Sequence, residues 1–379
     1  MGNSKKNIKS QEEEPGGNRS CTSKKENWQV AYKSSIKSID ELSKYVFIKE
    51  KEVPILKEVA RRYHMRATPY YLSLIENPSD YKDPIRKQCI PSVEELHGEF
   101  YEEIDPLGEE KTSPVSCLVH RYPDRVLLLV ANCCFMYCRH CTRKRLWQDD
   151  ITEPTLEDIE KALLYVKQNR QIREVIISGG DPLTLSTERL DYILSLVYQC
   201  KNIEVMRIGT RAPVVFPQRI DRSLCNMLGR YKNLWVNVQF NHPREITPAS
   251  ISACRRLQEI GIPISNQSVL LKGINDDIEI MKELCRKLQS IRVRPYYLFQ
   301  CDPVVGASHF RTSVWKGVEI TEGMRGYTSG MCIPNFIVDG IDGKGKVPLN
   351  PNYLISESNE GIILRNYKKE SFFYYNPKQ

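Results

Sequence analysis

Three cysteines in the spacing C-x3-C-x2-C, Cys134, Cys138 and Cys141, are the residues whose type and spacing most directly define a chemistry in this chain. They read as thiolate ligands of one [4Fe–4S] cluster. A cube takes one ligand per iron, so three cysteines with no evident fourth leave one iron open to bind something and do chemistry. A structural zinc site, which wants four closed ligands, and a chance grouping in a cysteine-rich chain are the alternatives. The strand-like run Arg125-Val-Leu-Leu-Leu-Val130 ahead of the cysteines and the basic residues behind them favour the cluster. Cys133 falls outside the spacing and reads as a packing residue or spare thiol.

Three further stretches have chemical potential. Ser178-Gly-Gly-Asp-Pro182 follows a second strand-like run; its glycines let backbone approach a ligand and its acid can meet an amino group, though a plain strand-to-helix joint uses the same residues. His120-Arg-Tyr-Pro-Asp-Arg125 gathers Arg121, Tyr122 and Arg125, donors that suit a phosphate, or else forms a solvated basic loop. Asp339-Gly-Ile-Asp-Gly-Lys-Gly-Lys-Val-Pro348 sets Lys344 and Lys346 in a glycine-rich turn behind a strand-like run. A lysine there can hold pyridoxal phosphate through its amine, and a hairpin turn with exposed lysines is the competing reading.

The elements that must position these groups follow from periodicity. Residues 1–26 are polar and charged with no apolar period, and are expected to be a disordered tail. Residues 27–110 carry apolar residues three and four apart, punctuated by prolines, and are expected to form a helical N-terminal region. Short apolar strands at 125–130, 174–178, 203–208, 235–240, 264–271 and 293–299 then alternate with helices at 155–168, 188–198, 222–231, 248–260 and 277–288. Thr247 before Pro248 suits an N-cap, and Asp276 with Glu279 a capping box. Repeated βα units imply parallel strands wound with one hand, hence a barrel over 111–330, with a doubly wound sheet as the alternative. Chemistry gathers at the C-terminal ends of barrel strands, where the cysteines sit. Residues 331–379 form a C-terminal segment holding the lysine-bearing turn.

With 379 residues there is ample core for a large α/β domain. The net charge of +8 is modest and no stretch interleaves basic with aromatic residues, so nucleic acid is not an expected partner and small anions are. No apolar run approaches the roughly 18 residues of a membrane span, and no signal-peptide core is evident, so a cytoplasmic protein without a membrane is expected. Thirteen scattered cysteines suit a reducing compartment.

The cysteine spacing after a first strand resembles the radical S-adenosylmethionine (SAM) superfamily. The stretches Thr68-Pro-Tyr-Tyr-Leu, His120-Arg-Tyr-Pro-Asp-Arg-Val-Leu-Leu-Leu129, Met136-Tyr-Cys-Arg-His-Cys-Thr-Arg143, Phe240-Asn-His-Pro243, Asn266-Gln-Ser-Val-Leu-Leu271, Gln300-Cys-Asp302 and Pro351-Asn-Tyr353, in this order, resemble the lysine 2,3-aminomutase family over nearly the whole ordered chain. The resemblance implies a partial (β/α)6 radical SAM barrel with a helical N-terminal region, in the α/β class.

It also implies roles. Cys134, Cys138 and Cys141 would hold the [4Fe–4S] cluster, whose fourth iron binds SAM. His140, Ser178, Gly179, Gly180, Asp181 and Gln267 would contact SAM. Lys346 would carry pyridoxal phosphate, and Arg121, Tyr122 and Arg125 would hold its phosphate. Arg143 would take the substrate α-carboxylate, and Asp302 and Asp339 its side-chain ammonium. The implied activity is conversion of L-lysine to L-β-lysine: a 5′-deoxyadenosyl radical takes hydrogen from the β-carbon, the amino group moves from C2 to C3, and hydrogen returns. Alternatives are the same reaction on arginine, glutamate or a lysine of a partner protein. A flavodoxin or ferredoxin would supply the electron, and a homo-oligomer is compatible. Gln239 stands where the family usually has histidine, and Lys344 where it usually has glycine. The sequence stops at Gln379, short of a cysteine group that generally binds zinc across subunits, so no structural zinc is expected and Cys254 is expected to be a buried thiol.

Overall fold

A computed structural model describes residues 28–147 and 152–377. The tail expected at 1–26 lies outside them. The strands are β1 (Leu118–Tyr122), β2 (Arg125–Ala131), β3 (Glu174–Gly179), β4 (Val205–Gly209), β5 (Leu234–Val238), β6 (Ile264–Leu270), β7 (Arg294–Gln300), β8 (Asn335–Gly340) and β9 (Gly345–Pro348), paired in that order in one sheet. β2 through β8 run parallel, while β1 and β9 turn back antiparallel at the two ends. A doubly wound sheet needs its strand order to reverse at a switch point. The order here never reverses, so the sheet curls one way into a partial barrel, as expected. The six expected strands are present with ends moved by at most two residues, and β8 adds a parallel strand.

Side-chain alternation explains the layering. Val126, Leu128 and Val130 of β2, Val175 and Ile177 of β3, and Met206 and Ile208 of β4 are buried in one hydrophobic cluster with Ile159, Leu163, Leu190 and Ile193 of the covering helices. Each such side chain contributes roughly 1.5–3 kcal/mol by leaving water. The residues between them, Leu127, Ile176 and Arg207, face the lumen. In the N-terminal region, helices Val53–Arg62, Pro69–Leu72 and Pro84–Cys89 each place proline in the first turn, where its missing N–H is not needed. Ile39, Leu42, Leu56 and Tyr71 join the same cluster as the barrel. Cys254 is fully buried within it. A separate sheet of β10 (Leu354–Glu357), β11 (Gly361–Arg365) and β12 (Ser371–Tyr375) follows β9.

Two helix ends differ from expectation. The helix expected over 222–231 stops at Leu228, because Gly229 takes the C-cap and its N–H bonds Cys225 O. The cap expected at Asp276 is supplied by Asp277, whose carboxylate accepts from Glu279 N at 2.8 Å and Ile280 N at 3.1 Å. Asp276 is instead committed to the preceding turn, accepting from Gly273 N at 2.7 Å. Thr247 caps Pro248–Glu259 as expected, with Ser250 returning the bond. We expect Asp277→Ala to lower stability by about 1 kcal/mol, the usual value of a lost N-cap, and by more than Asp276→Ala. Thermal unfolding of the two variants checks this, and the reverse order would contradict the assigned cap.

Candidate active site

The loop after β2 carries the cysteines, and the end of β3 holds it in place. Gly180 N donates to Ala131 O at 2.5 Å and Asp181 N to Cys133 O at 2.7 Å. The approach is so close that a Cβ on Gly179 would lie 2.2 Å from Ala131 O, and one on Gly180 2.2 Å from Cys133 O. Gly179 also sits at φ 116°, where side chains are strained. The glycines therefore let β3 lie against the backbone of the cysteine loop itself. Cys133 serves this join through its carbonyl, and its side chain is not part of the wall that Cys134, Cys138 and Cys141 share.

Those three cysteines line a cavity of about 240 Å³ together with His140, the Ser178–Asp181 turn and Gln267. Among the described residues no three His, Cys, Asp or Glu side chains converge tightly enough for a single metal ion. A cube distributes its ligands over separate irons, so three sulfurs spread around one cavity suit a cluster with an open corner. Burial, then Cys138, pushes the Cys141 thiol up to about 11. Arg211 donates from Nη1 to Cys138 Sγ at 2.8 Å, and is itself held by Gln88 Oε1 at 2.6 Å and Glu245 Oε1 at 2.7 Å.

For SAM, the donor set is mixed. His140 is buried with its Nδ1 unpartnered, and burial followed by Arg211 and Lys144 keeps the ring neutral, so a polar atom without a protein partner stands in the cavity wall. Asp181 is more committed: its carboxylate already accepts from Thr210 Oγ1 at 2.7 and 2.9 Å, Arg211 N at 2.8 Å and Leu183 N at 3.0 Å. Burial raises its pKa, and these donors offset only part of that. It fixes the turn whose backbone then faces the cavity.

A second cavity, of about 710 Å³, fills the lumen and meets the first: Arg143, Ser178, Gly209, Asn237 and Gln267 line both. It contains Arg121, Tyr122, Arg125 and Lys346. Arg121 has a buried Nε without a partner, Arg125 stacks on the Tyr122 ring at 3.8 Å, and Tyr122 OH accepts from Lys346 N at 2.8 Å. An anion-ready guanidinium beside a phenol and a lysine is the donor set a phosphate-bearing aldehyde needs. The residues present thus fit pyridoxal phosphate. Asp339 and Lys346 are directly paired across the β8–β9 hairpin, which brings Lys346 Nζ to 2.8 Å from both oxygens of Asp339. Lys344 is exposed on the turn and outside this cavity.

Arg143 and Asp302 have protein partners. Glu109 grips Arg143 at Nε (2.9 Å) and Nη2 (2.6 Å). Burial would raise the Glu109 carboxyl, but Arg143 and Arg145 overcome it and hold it at about 2. Asp302 accepts from Thr142 Oγ1 at 2.7 Å, and burial, with a contribution from Asp339, lifts its carboxyl to about 6. Glu109, Thr142 and Arg211 were not singled out from the sequence. Arg211 had a signal, a polar residue just past the C-terminal end of a barrel strand. Glu109 and Thr142 had none beyond lying close to His120–Arg125 and Cys141.

Cys134→Ala, Cys138→Ala and Cys141→Ala are each expected to lose the cluster, and Cys133→Ala to keep it. Gly180→Ala, which forces Cβ against Cys133 O, should also reduce cluster incorporation although it removes no sulfur. Iron and sulfide content with the visible spectrum of anaerobically reconstituted protein reads all five. Full cluster content in Gly180→Ala would contradict the packing account.

The chain matches the family model described as Radical SAM superfamily over residues 128–285 and the one described as Lysine-2,3-aminomutase over residues 321–379. It is 49% identical over 92% of its length to the L-lysine 2,3-aminomutase of Clostridium subterminale, covering 83% of that protein. It is 44% identical over 90% of its length to the glutamate 2,3-aminomutase of Clostridioides difficile (strain 630), covering 80% of that protein. Among solved structures, Streptococcus suis SuiB bound to S-adenosylmethionine is 17% identical, with a TM-score of 0.45 over 58% of this chain and 51% of that one. With relatives at this identity over most of both chains, a parallel barrel and cavities suited to a cluster, SAM and pyridoxal phosphate, the chain belongs to the lysine 2,3-aminomutase family of radical SAM isomerases.

Proposed function

We propose that this enzyme converts L-lysine to L-β-lysine, with Arg143 binding the α-carboxylate and Asp302 and Asp339 receiving the ε-ammonium. The observation that carries the reading is the ammonium of Lys346 seated on both oxygens of Asp339, with Asp302 close enough that the Asp339 charge helps to raise its carboxyl. A lysine side chain offers the same group. Glutamate would bring a third negative charge to this end, where like-charge juxtaposition costs several kcal/mol. Arginine competes through its guanidinium, and a peptidyl lysine would leave Arg143 without its carboxylate.

The cluster and SAM, when bound, supply the hydrogen-abstracting radical, and pyridoxal phosphate supplies an electron-accepting ring. The chain's own residues do the placing. Cys134, Cys138 and Cys141 hold the cluster, and His140, the Ser178–Asp181 turn and Gln267 orient SAM. Arg121, Tyr122 and Arg125 take the phosphate. Lys346 would hold the cofactor through Nζ, which stands 2.8 Å from both oxygens of Asp339. Because Ser178, Gln267 and Arg143 line both cavities, the cavity read for the cluster and SAM adjoins the one read for the substrate.

The chemistry requires a one-electron donor, for which we propose a protein such as a flavodoxin or ferredoxin. The outward aromatics of β12, Phe372, Phe373, Tyr374 and Tyr375, support a homo-oligomer that covers them. No helix among the described residues is long and apolar enough to cross a membrane, and we place the enzyme in the cytoplasm. The division into a helical region 27–110, a barrel 111–330 and a C-terminal segment 331–379 is the organisation we adopt.

Anaerobic incubation of reconstituted protein with SAM, pyridoxal phosphate, a reductant and L-lysine, L-arginine or L-glutamate should yield β-lysine fastest. Faster turnover of glutamate would overturn the assignment. Borohydride reduction and peptide mapping should place the label on Lys346, and label on Lys344 alone would reject it.

Asp302→Asn separates stability from function. The folded carboxyl titrates near 6 against about 3.9 unfolded, so the folded state binds the proton more tightly. Its stabilising share is complete below pH 4 and is lost as pH rises through 6. Asparagine mimics the protonated form. The variant should therefore unfold at higher temperature than the parent above pH 6, by up to about 3 kcal/mol, and equally at pH 4, while losing lysine turnover. Thermal melts of cofactor-free protein at the two pH values check the sign.

A further inference from the structure

We propose that Glu109 is a positioning residue that restricts this site to ligands with a free α-carboxylate, by locking one edge of Arg143 and presenting the other; the proposal rests on the reading of Arg143 given above. Glu109 is almost fully buried and uses both oxygens on Arg143, at 2.9 and 3.1 Å from Nε and 2.6 Å from Nη2. It also accepts from Arg145 Nη2 at 2.8 Å, so it cannot swing away without abandoning a second guanidinium. The Nε–Nη2 edge of Arg143 is thereby occupied. The remaining edge has only marginal contacts, Nη1 standing 3.5 Å from Ser178 Oγ and 3.4 Å from Gly179 O.

That edge lies where the two cavities meet, since Arg143 and Ser178 line both. A planar guanidinium with one edge fixed has a single remaining geometry for a two-oxygen acceptor, and its rotamer freedom is spent before the ligand arrives. Ligands with a carboxylate at that point gain from this order. An amine without one gains nothing.

The backbone around Glu109 gives the lock its register. Leu107 O accepts from Arg121 Nη2 at 2.5 Å, Pro106 O accepts from Asp342 N at 3.0 Å, and Lys111 Nζ pairs with Asp342 at 2.6 Å. One short strap therefore braces the arginine assigned to the phosphate, the turn that carries Lys346 and the arginine assigned to the carboxylate.

The test compares L-lysine with cadaverine, which keeps both amino groups and lacks the carboxylate, on the reconstituted holoenzyme. Equilibrium dialysis gives Kd for both, and steady-state assays give KM and kcat for lysine. Glu109→Gln should raise Kd and KM for lysine about tenfold or more, leave the Kd for cadaverine within about twofold, and lower kcat by less than KM rises. Glu109→Asp, which keeps the charge with a shorter reach, should fall between Gln and the parent, and it carries the same comparison if Glu109→Gln does not accumulate as folded protein. Unchanged lysine affinity, or an equal loss for both ligands, would overturn the proposal. If the parent enzyme turns over lysine but binds lysine and cadaverine equally, the Arg143 reading itself is wrong and the proposal goes with it.

Discussion

A buried charge triad fixes the cysteine loop, and the chemistry depends on that loop holding still. Arg139 lies inside the cysteine spacing and is completely buried, bonded to Glu95 at 2.9 and 2.6 Å, to His64 O at 2.9 Å and to Tyr63 O at 3.2 Å. Lys144, just past the last cysteine, reaches the same carboxylate at 2.8 Å and Gly306 O at 2.6 Å. Glu95 remains ionised despite full burial because Arg139 and Lys144 outweigh the desolvation that would raise its pKa. Charges this deep are tolerated only when paired and fully hydrogen-bonded, and such a set is worth more as a register device than as net stability. Here it joins four separate stretches at one point: Tyr63–His64, Glu95, the cysteine loop and Gly306. The helical N-terminal region is the counterpart against which the loop is set, and the Gly179–Gly180 contact fixes the loop's other side.

What could be read from the sequence divides along a physical line. Periodicity showed the parallel strands and most helices because burial enforces it locally: Val126, Leu128 and Val130 must alternate with lumen residues wherever the chain goes. The cysteine spacing was legible because ligand geometry is a short-range demand. Asp339 and Lys346 were picked out together only through the family resemblance, although the pair is local, facing each other across a single hairpin. Glu109, Thr142 and Arg211 were not legible, because their meaning comes from partners far away in the chain. Arg143 is separated from Glu109 by 34 residues, Asp302 from Thr142 by 160, and Arg211 from Cys138 by 73. No window of periodicity spans such distances. The choice between Asp276 and Asp277 as cap failed on a smaller scale, since two adjacent aspartates carry the same local signal and only the turn at Gly273 separates them.

The lumen departs from the apolar filling that closed eight-stranded barrels use to pack their interior. Its wall carries Arg121, Arg125, Arg207, Glu174, Ser265 and Asn237, charged and polar groups at alternating positions along successive strands. Such a wall is unfavourable unless its groups find partners. Arg207 pairs with Glu174 across β3 and β4, yet its Nε is buried without an acceptor, as is that of Arg121. An open sheet edge between β1 and β9 makes this arrangement tenable, since a lumen that is not closed need not be filled by its own side chains.

Opening the barrel also determines how the lysine is delivered. β8 continues the parallel sheet, but β9 doubles back as a hairpin, so Lys346 enters from the sheet's last edge. A hairpin edge has one free side and would drift if left alone. It is held by Tyr122 of β1, whose hydroxyl accepts from Lys346 N, and by the strap at 106–111, which grips Asp342. The first and last strands of the sheet do not pair with each other through a ladder, and it is these few contacts that bring them together. The gap in the barrel is therefore spanned in part by residues of the proposed site, Tyr122 and Lys346, and the bonds that bridge it there fix where the backbone of Lys346 stands beside the lumen.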